Sequence, residues 1–155
     1  MRLDHAWIAA HIPHQGRMCL LDEVVEWTAD RIRCRSESHR RADNALRAHD
    51  RLGAACGIEY AAQAMAVHGA LRAASLSQSW RPGLLASVRG LTMNVERLDD
   101  IAGPLMASAA LVNGDDRMVL YEFSLGDSTR VLLSGRATIA FAVTSGEQSA
   151  MRAPT

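Results

Sequence analysis

The sequence predicts an α+β fold in which a curved antiparallel sheet wraps around one long central helix. Three observations carry that prediction. Residues 60–71 hold no formal charge and form an Ala-, Met- and Val-rich run, interrupted only by Tyr60, Gln63 and His68 as polar groups. Two strand-like runs precede this stretch and four follow it. Turn chemistry joins those four, so they read as antiparallel neighbours. The strands' apolar face needs a cover, and the charge-free helix is the candidate. A single such layer leaves one side of the helix under-covered, which favours dimerisation.

Taken in order, residues 1–11 read as a short amphipathic helix with Leu3, Trp7 and Ile8 on one side. Pro13 then fixes an extended loop, IPHQG. Met18–Trp27 and Arg31–Ser38 read as strands around the Thr28-Ala29-Asp30 turn, and Ile32 and Cys34 alternate with Arg as in a half-buried sheet. The polar stretch 39–51 has no clean period and reads as a long loop of the kind that is often functional. It delivers the chain to the central helix, expected to start near Gly53. Ala and Met favour helix, and nothing from Ile58 to His68 breaks one. The sixteen positions 57–72 would span about 24 Å at 1.5 Å per residue. After a Pro-Gly stop come strand-like runs at 84–98, 105–113, 117–125 and 129–143. Gly103-Pro104, Asn113-Gly114 and Gly126-Asp127-Ser128 mark their turns. Residues 1–143 form one expected domain, with 144–155 as a flexible tail.

Composition narrows the function. At 155 residues with 48% apolar content, the chain can bury a proper core. Lys+Arg and Asp+Glu balance at 17 each, so no net field attracts nucleic acid or anionic lipid. The basic cluster at Arg40, Arg41, Arg47 and Arg51 lacks the aromatic residues that stack on bases. No apolar run reaches membrane-spanning length, and no signal-peptide core is present. Cys19, Cys34 and Cys56 are widely spaced with no CxxC, which reads as reduced thiols in a cytoplasmic protein. No pair of histidines has metal-ligand spacing with a carboxylate, so no metal is expected.

Glu59 is the most informative residue. A Glu in a first helical turn can be ordinary dipole chemistry. Its neighbours Ile58, Ala61, Ala62 and Met65 are apolar, and desolvation disfavours the charged carboxylate. A carboxyl group that keeps its proton near neutral pH can act as a general acid. Gln63 lies one turn on, on the same face, where it can orient that group.

With these elements in this order, IPHQGRMCLLDEVVEW at 12–27 and GIEYAAQAMAVHGAL at 57–71 resemble the hotdog-fold 3-hydroxyacyl-acyl carrier protein dehydratases. The likeness is greater to their relatives in aryl polyene and related lipid-like biosynthesis. Those enzymes carry a Pro-His loop, here Pro13-His14, and a helix Glu followed by Ala-Gln, here Glu59 and Ala62-Gln63. The ending SGRATIAF at 134–141 is similar to their last strand. The resemblance implies a homodimer with joined sheets and active sites at the interface. It implies no cofactor beyond the phosphopantetheine that carries the substrate as an acyl carrier protein or coenzyme A thioester. The implied reaction is elimination of water from a 3-hydroxyacyl thioester, as in fatty-acid or polyene biosynthesis. A His takes the C2 proton, the helix carboxyl serves the departing hydroxyl, and a backbone N–H near Gly53–Gly57 polarises the thioester carbonyl.

At one point the sequence departs from that pattern. The family's catalytic His sits in a Gly-His-Phe-Pro segment fourteen residues before the Glu, where this chain has Ala45, and no such segment occurs in 39–56. His14, in the Pro-His loop, and His49, ten residues before Glu59, remain as candidate bases. The expected site is therefore Glu59 with His14 or His49, with Gly53, Gly57 and Gln63 binding substrate. Two alternatives stay open. One is a non-catalytic subunit in a heterodimer with an active dehydratase. The other is a thioesterase that uses the helix carboxylate to activate water.

Overall fold

A computed structural model describes residues 2–142; the expectation for 144–155 lies outside them. The elements are α1 (His5–His11), β1 (Glu23–Trp27), β2 (Arg31–Ser36), α2 (Gly57–Ser75), β3 (Gly83–Met93), β4 (Leu105–Gly114), β5 (Met118–Gly126) and β6 (Val131–Phe141). The six strands make one antiparallel sheet in the order β1-β2-β4-β5-β6-β3. The chain crosses from β2 through α2 to β3, which pairs only with β6 and forms the far edge.

α2 is the long, nearly uncharged helix that its composition dictates. Tyr60, Ala61, Gln63, Ala64, Met65, Val67, His68, Ala70 and Leu71 are all buried, and the helix packs across β2, β4 and β5. It begins at Gly57 rather than Gly53, because Ala54–Cys56 form a separate turn of 3-10 helix. Gly57 is where helix and sheet come closest. A Cβ there would stand 2.2 Å from Leu133 Cδ2 and 2.8 Å from Leu125 Cδ2, so any side chain would push the first turn off β5 and β6.

The helix covers the sheet unequally. Its half-exposed positions Glu59, Ala62, Ala66, Gly69 and Ala73 recur every three or four residues and so form one stripe. That stripe faces away from the covered strands. β3 is almost wholly exposed, with Leu84 at 78% and Met93 at 50%. The strand is long and carries bulges, one of them spanning Gly90 at a φ of 59°, the left-handed backbone that glycine adopts without strain.

Several boundaries differ from the sequence expectation for local reasons. β1 starts at Glu23, not Met18, because Gly16–Met18 is a 3-10 turn. Leu20 and Leu21 are buried side by side, and the Leu20 N–H goes to the Gln63 side chain. β3 stops at Met93. The chain beyond is held by Leu98 N to Leu52 O at 2.8 Å and by Leu52 N to Asp99 at 2.9 Å. Asn113-Gly114 is not the hairpin turn itself, since Gly114 still pairs with Val119. The reversal falls one step later, where the Asp115 carboxylate accepts from the N–H groups of Arg117 and Met118. At the last hairpin the turn is as expected, with Asp127 accepting from Thr129 and Arg130.

Candidate active site

The Pro13–His14 loop is laid across the first turns of α2 by one side chain. Gln63 is fully buried. Its amide nitrogen donates to Met18 O at 2.7 Å and to Glu59 Oε1 at 3.0 Å, while its oxygen accepts from Leu20 N at 2.9 Å. The orientation of that amide is fixed by its neighbours, because a flip would set oxygen against two acceptors. Gln63 thus fastens 18–20 to the helix and holds the carboxylate one turn below it.

His14 closes the arrangement from the other side. Its Nε2 lies 2.9 Å from Glu59 Oε1, and both side chains still reach solvent, at 27% and 31%. The ring's Nδ1 is enclosed and has no hydrogen-bond partner among the described residues. Nε2 is therefore the nitrogen presented to the carboxylate.

The proton balance reverses the sequence expectation for Glu59. Burial by itself raises the carboxyl, as its apolar neighbours suggested, but the hydrogen bonds from His14 and Gln63 outweigh it. The group is held below its ordinary value. Pairing of opposite partners favours the charged form more than this partial burial disfavours it. Glu59 at rest is a carboxylate accepting two hydrogen bonds rather than a proton-bearing acid.

The other candidates lie elsewhere. His49 is exposed, sits in left-handed backbone at a φ of 54° and does not line the cavity beside Glu59. Gly53 bridges to Arg97 and faces open space. The Gly57 N–H is taken up by Ala54 O in the preceding turn, and the residue's absent side chain serves packing on the sheet. Burial pushes the Cys56 thiol up, so its place before the helix does not activate it.

Pro13, His14 and Glu59 form one end of a cavity of about 600 Å³. It runs between the bare stripe of α2 and the uncovered part of the sheet, with Leu84 and Leu85 of β3 and Ile139 of β6 in its wall. Tyr121 lines it too. Its hydroxyl lies 2.8 Å from His68 Nδ1, while His68 Nε2 lies 2.9 Å from Thr28 O. The carbonyl can only accept, so Nε2 carries the ring proton and Tyr121 donates to Nδ1. Sequence reasoning placed His68 in the interior but missed Tyr121, Trp80 and Arg72 as cavity walls. Arg72 was within reach of it, since it sits beside Ala73 at the end of the stripe that starts at Glu59.

The geometry therefore offers a solvent-reaching imidazole–carboxylate pair at the head of a mainly apolar channel. Among the described residues no group of His, Cys, Asp and Glu could hold a metal ion, and no helix is long and apolar enough to cross a membrane. Among solved structures the fold is similar to the ApeI:P dehydratase heterocomplex from Xenorhabdus doucetiae. The two are 18% identical, with 94% of this chain and 97% of that chain covered and a TM-score of 0.78. It is also similar to a mutant thioesterase from Pseudomonas aeruginosa (15% identity, 77% and 80% covered, TM-score 0.56). A protein from Helicobacter felis matches at 10% identity, with 90% and 89% covered and a TM-score of 0.59. No curated protein sequence matches. These likenesses make the architecture a hotdog fold. Residues 6–149 match the family model for ApeP-like proteins, the ApeP dehydratases, and the chain belongs to that family.

Proposed function

We propose that the protein dehydrates a 3-hydroxyacyl thioester to the 2-enoyl thioester, with His14 and Glu59 as the reacting pair. The observation that carries this reading is the 2.9 Å contact between His14 Nε2 and Glu59 at the head of the cavity. Elimination needs one group to take a proton from C2 and another to give one to the hydroxyl on C3. The Glu59 carboxylate takes the C2 proton, the C2=C3 double bond forms, and the C3–O bond breaks. The hydroxyl leaves as water with the Nε2 proton of His14 in its imidazolium form, which is left as the neutral ring with its proton on Nδ1. Transfer across the contact from Glu59 to His14 then restores the pair, so no proton is gained or lost over the cycle. The assignment swaps the two roles implied by the resemblance, because the pairing favours the charged form of Glu59.

The substrate in this reading is carried on phosphopantetheine, as an acyl carrier protein or coenzyme A thioester, and no further cofactor takes part. β3 supports a paired assembly. It is an unpaired edge of eleven residues with Leu84, Leu85, Leu91 and Met93 exposed, and such an edge is a template for strand addition. A second copy would give the homodimer. A related dehydratase subunit would give a heterodimer, a reading favoured by the ApeI:P heterocomplex and by Ala45 in place of the usual histidine.

Purified protein mixed with a 3-hydroxyacyl thioester is expected to produce the absorbance of the conjugated enoyl product. Free thiol instead of that absorbance would mark a thioesterase, the activity named for a similar fold. If the chain is inert alone and active only beside another dehydratase subunit, it is the supporting partner and the pair is not the catalytic one.

A further inference from the structure

The cavity continues well past the reacting pair. From Glu59 it follows the half-exposed stripe of α2 by way of Ala62, Ala66 and Gly69 to Arg72 and Ala73. At 1.5 Å per residue that is roughly 20 Å. Midway its walls are Met65, Leu84, Leu111, Val119 and Ile139. A pantetheine arm lying there would leave its amides without partners, which costs free energy, whereas a hydrocarbon chain loses nothing. The acyl portion therefore fits this stretch.

The far end changes character. Arg72 is half-buried in the wall and has no carboxylate or other acceptor among the described residues. The Trp80 indole nitrogen stands 3.6 Å from the position a Cβ on Gly69 would take. Its N–H also finds no acceptor among the described residues. Arg81 lines the same end, donating to the main-chain carbonyl of Asp116 and lying 5.1 Å over the Phe141 ring. Asp115 and Asp116 are close by. The Asp115 carboxylate is turned into its own hairpin, accepting from Arg117 and Met118, and neither aspartate forms an ion pair with Arg72. Neither set of nitrogens is sealed from water, so two donors at the end of an apolar channel are open to an acceptor on a ligand.

We infer that the groove takes an acyl chain whose distal end carries a carboxylate, received by the Arg72 guanidinium and the Trp80 N–H. The inference rests on the reading of this cavity as the acyl channel of a thioester substrate. A planar guanidinium matches a carboxylate with two parallel hydrogen bonds. A methyl-ended chain would instead shield Arg72 from water and give it nothing in return.

The test is binding, kept apart from turnover. Two unreactive thioether analogues of equal chain length, one methyl-ended and one carboxylate-ended, are titrated calorimetrically into the full chain and into Arg72→Met. The carboxylate-ended analogue is expected to bind wild type about tenfold tighter, and that ratio is expected to fall to near one in Arg72→Met. Arg72→Lys, which keeps the charge without the fork, should retain part of it. Equal affinities in wild type overturn the inference. So does a ratio that survives in Arg72→Met while both analogues weaken alike, which would put the arm's phosphate at Arg72. If Arg72→Met does not fold, the wild-type ratio decides alone. Absence of dehydration with the binding preference intact would sink the dehydratase reading and leave this one standing.

Discussion

Two histidines on or against α2 meet an oxygen at almost the same distance and do opposite things. His14 meets Glu59 at 2.9 Å where both side chains reach solvent. His68 meets Tyr121 at 2.8 Å where the two are 0% and 2% exposed. In the first pair the partner is a carboxyl group, and the contact helps to hold it in its charged form. In the second, burial pushes the Tyr121 hydroxyl up to about 12 and holds the His68 ring below its usual value. Both of its members therefore stay neutral, each hydrogen bond fixing the next. Distance alone does not separate a reacting pair from a structural one. Access to water and an ionisable partner do.

The largest effect should come from breaking the first pair. Glu59→Gln keeps the shape and hydrogen-bonding capacity of the side chain but cannot take a proton. Turnover is expected to fall by about 10² to 10⁴, the usual weight of a general base. Because the pair is partly exposed, folding stability should move by less than about 1 kcal/mol. A variant that dehydrates at the wild-type rate would put the two pairs in the same structural class.

Gln63→Leu tests what holds the first pair in place. It strips partners from Met18 O and Leu20 N, both tied to the buried amide, and removes one of the two hydrogen bonds on Glu59. Each buried group left unsatisfied costs about 1–3 kcal/mol. Denaturant unfolding should show that loss, accompanied by slower turnover. Slower turnover with unchanged stability would mean that Gln63 only orients Glu59 and does not fasten the loop.

A smaller loss should follow from the second pair. Tyr121→Phe deletes the hydroxyl that donates to His68 Nδ1, leaving one buried acceptor unpaired, for about 1–2 kcal/mol in the unfolding free energy. An unchanged midpoint and slope in denaturant would mean that water replaces the phenol and that the interior there is wetter than its burial implies.

The difference between the pairs also marks how far the sequence could be read. The helix, its six flanking strands and the first-turn Glu59 followed from periodicity and charge, because those patterns record which face is buried. Gln63 was legible as an orienting group through its one-turn spacing. Its grip on Met18 and Leu20 was not, because those partners lie some forty residues away in sequence. The protonation of Glu59 was misjudged because local neighbours report desolvation, whereas the imidazole that reverses it arrives from residue 14. Tyr121, Trp80 and Arg72 became neighbours only when β3 crossed to the far edge and left the helix stripe bare. Strand order of that kind is a property of the whole chain.

The last and smallest effect separates the pairs by pH. Burial lowers the His68 pKa from 6.5, and His39 is shifted the same way for the same reason. In the unfolded chain these rings bind a proton as pH falls below about 6.5, while the folded protein resists doing so. The unfolded state then holds more protons, so stability falls as pH drops through that window. Glu59 behaves differently. Its pKa lies below 4.5 when folded, so its contribution is present above the unfolded value and is lost only as pH falls through the folded one. Unfolding free energy measured from pH 7 to 5.5 should therefore decline through the histidines alone among these groups. His68→Gln should flatten that decline by less than about 1.4 kcal/mol per pH unit, the limit for one proton. The readout is slope, so any fixed cost of the substitution drops out. If the slope of His68→Gln matches wild type, His68 already carries its proton in the fold, and the buried pair is as titratable as the exposed one.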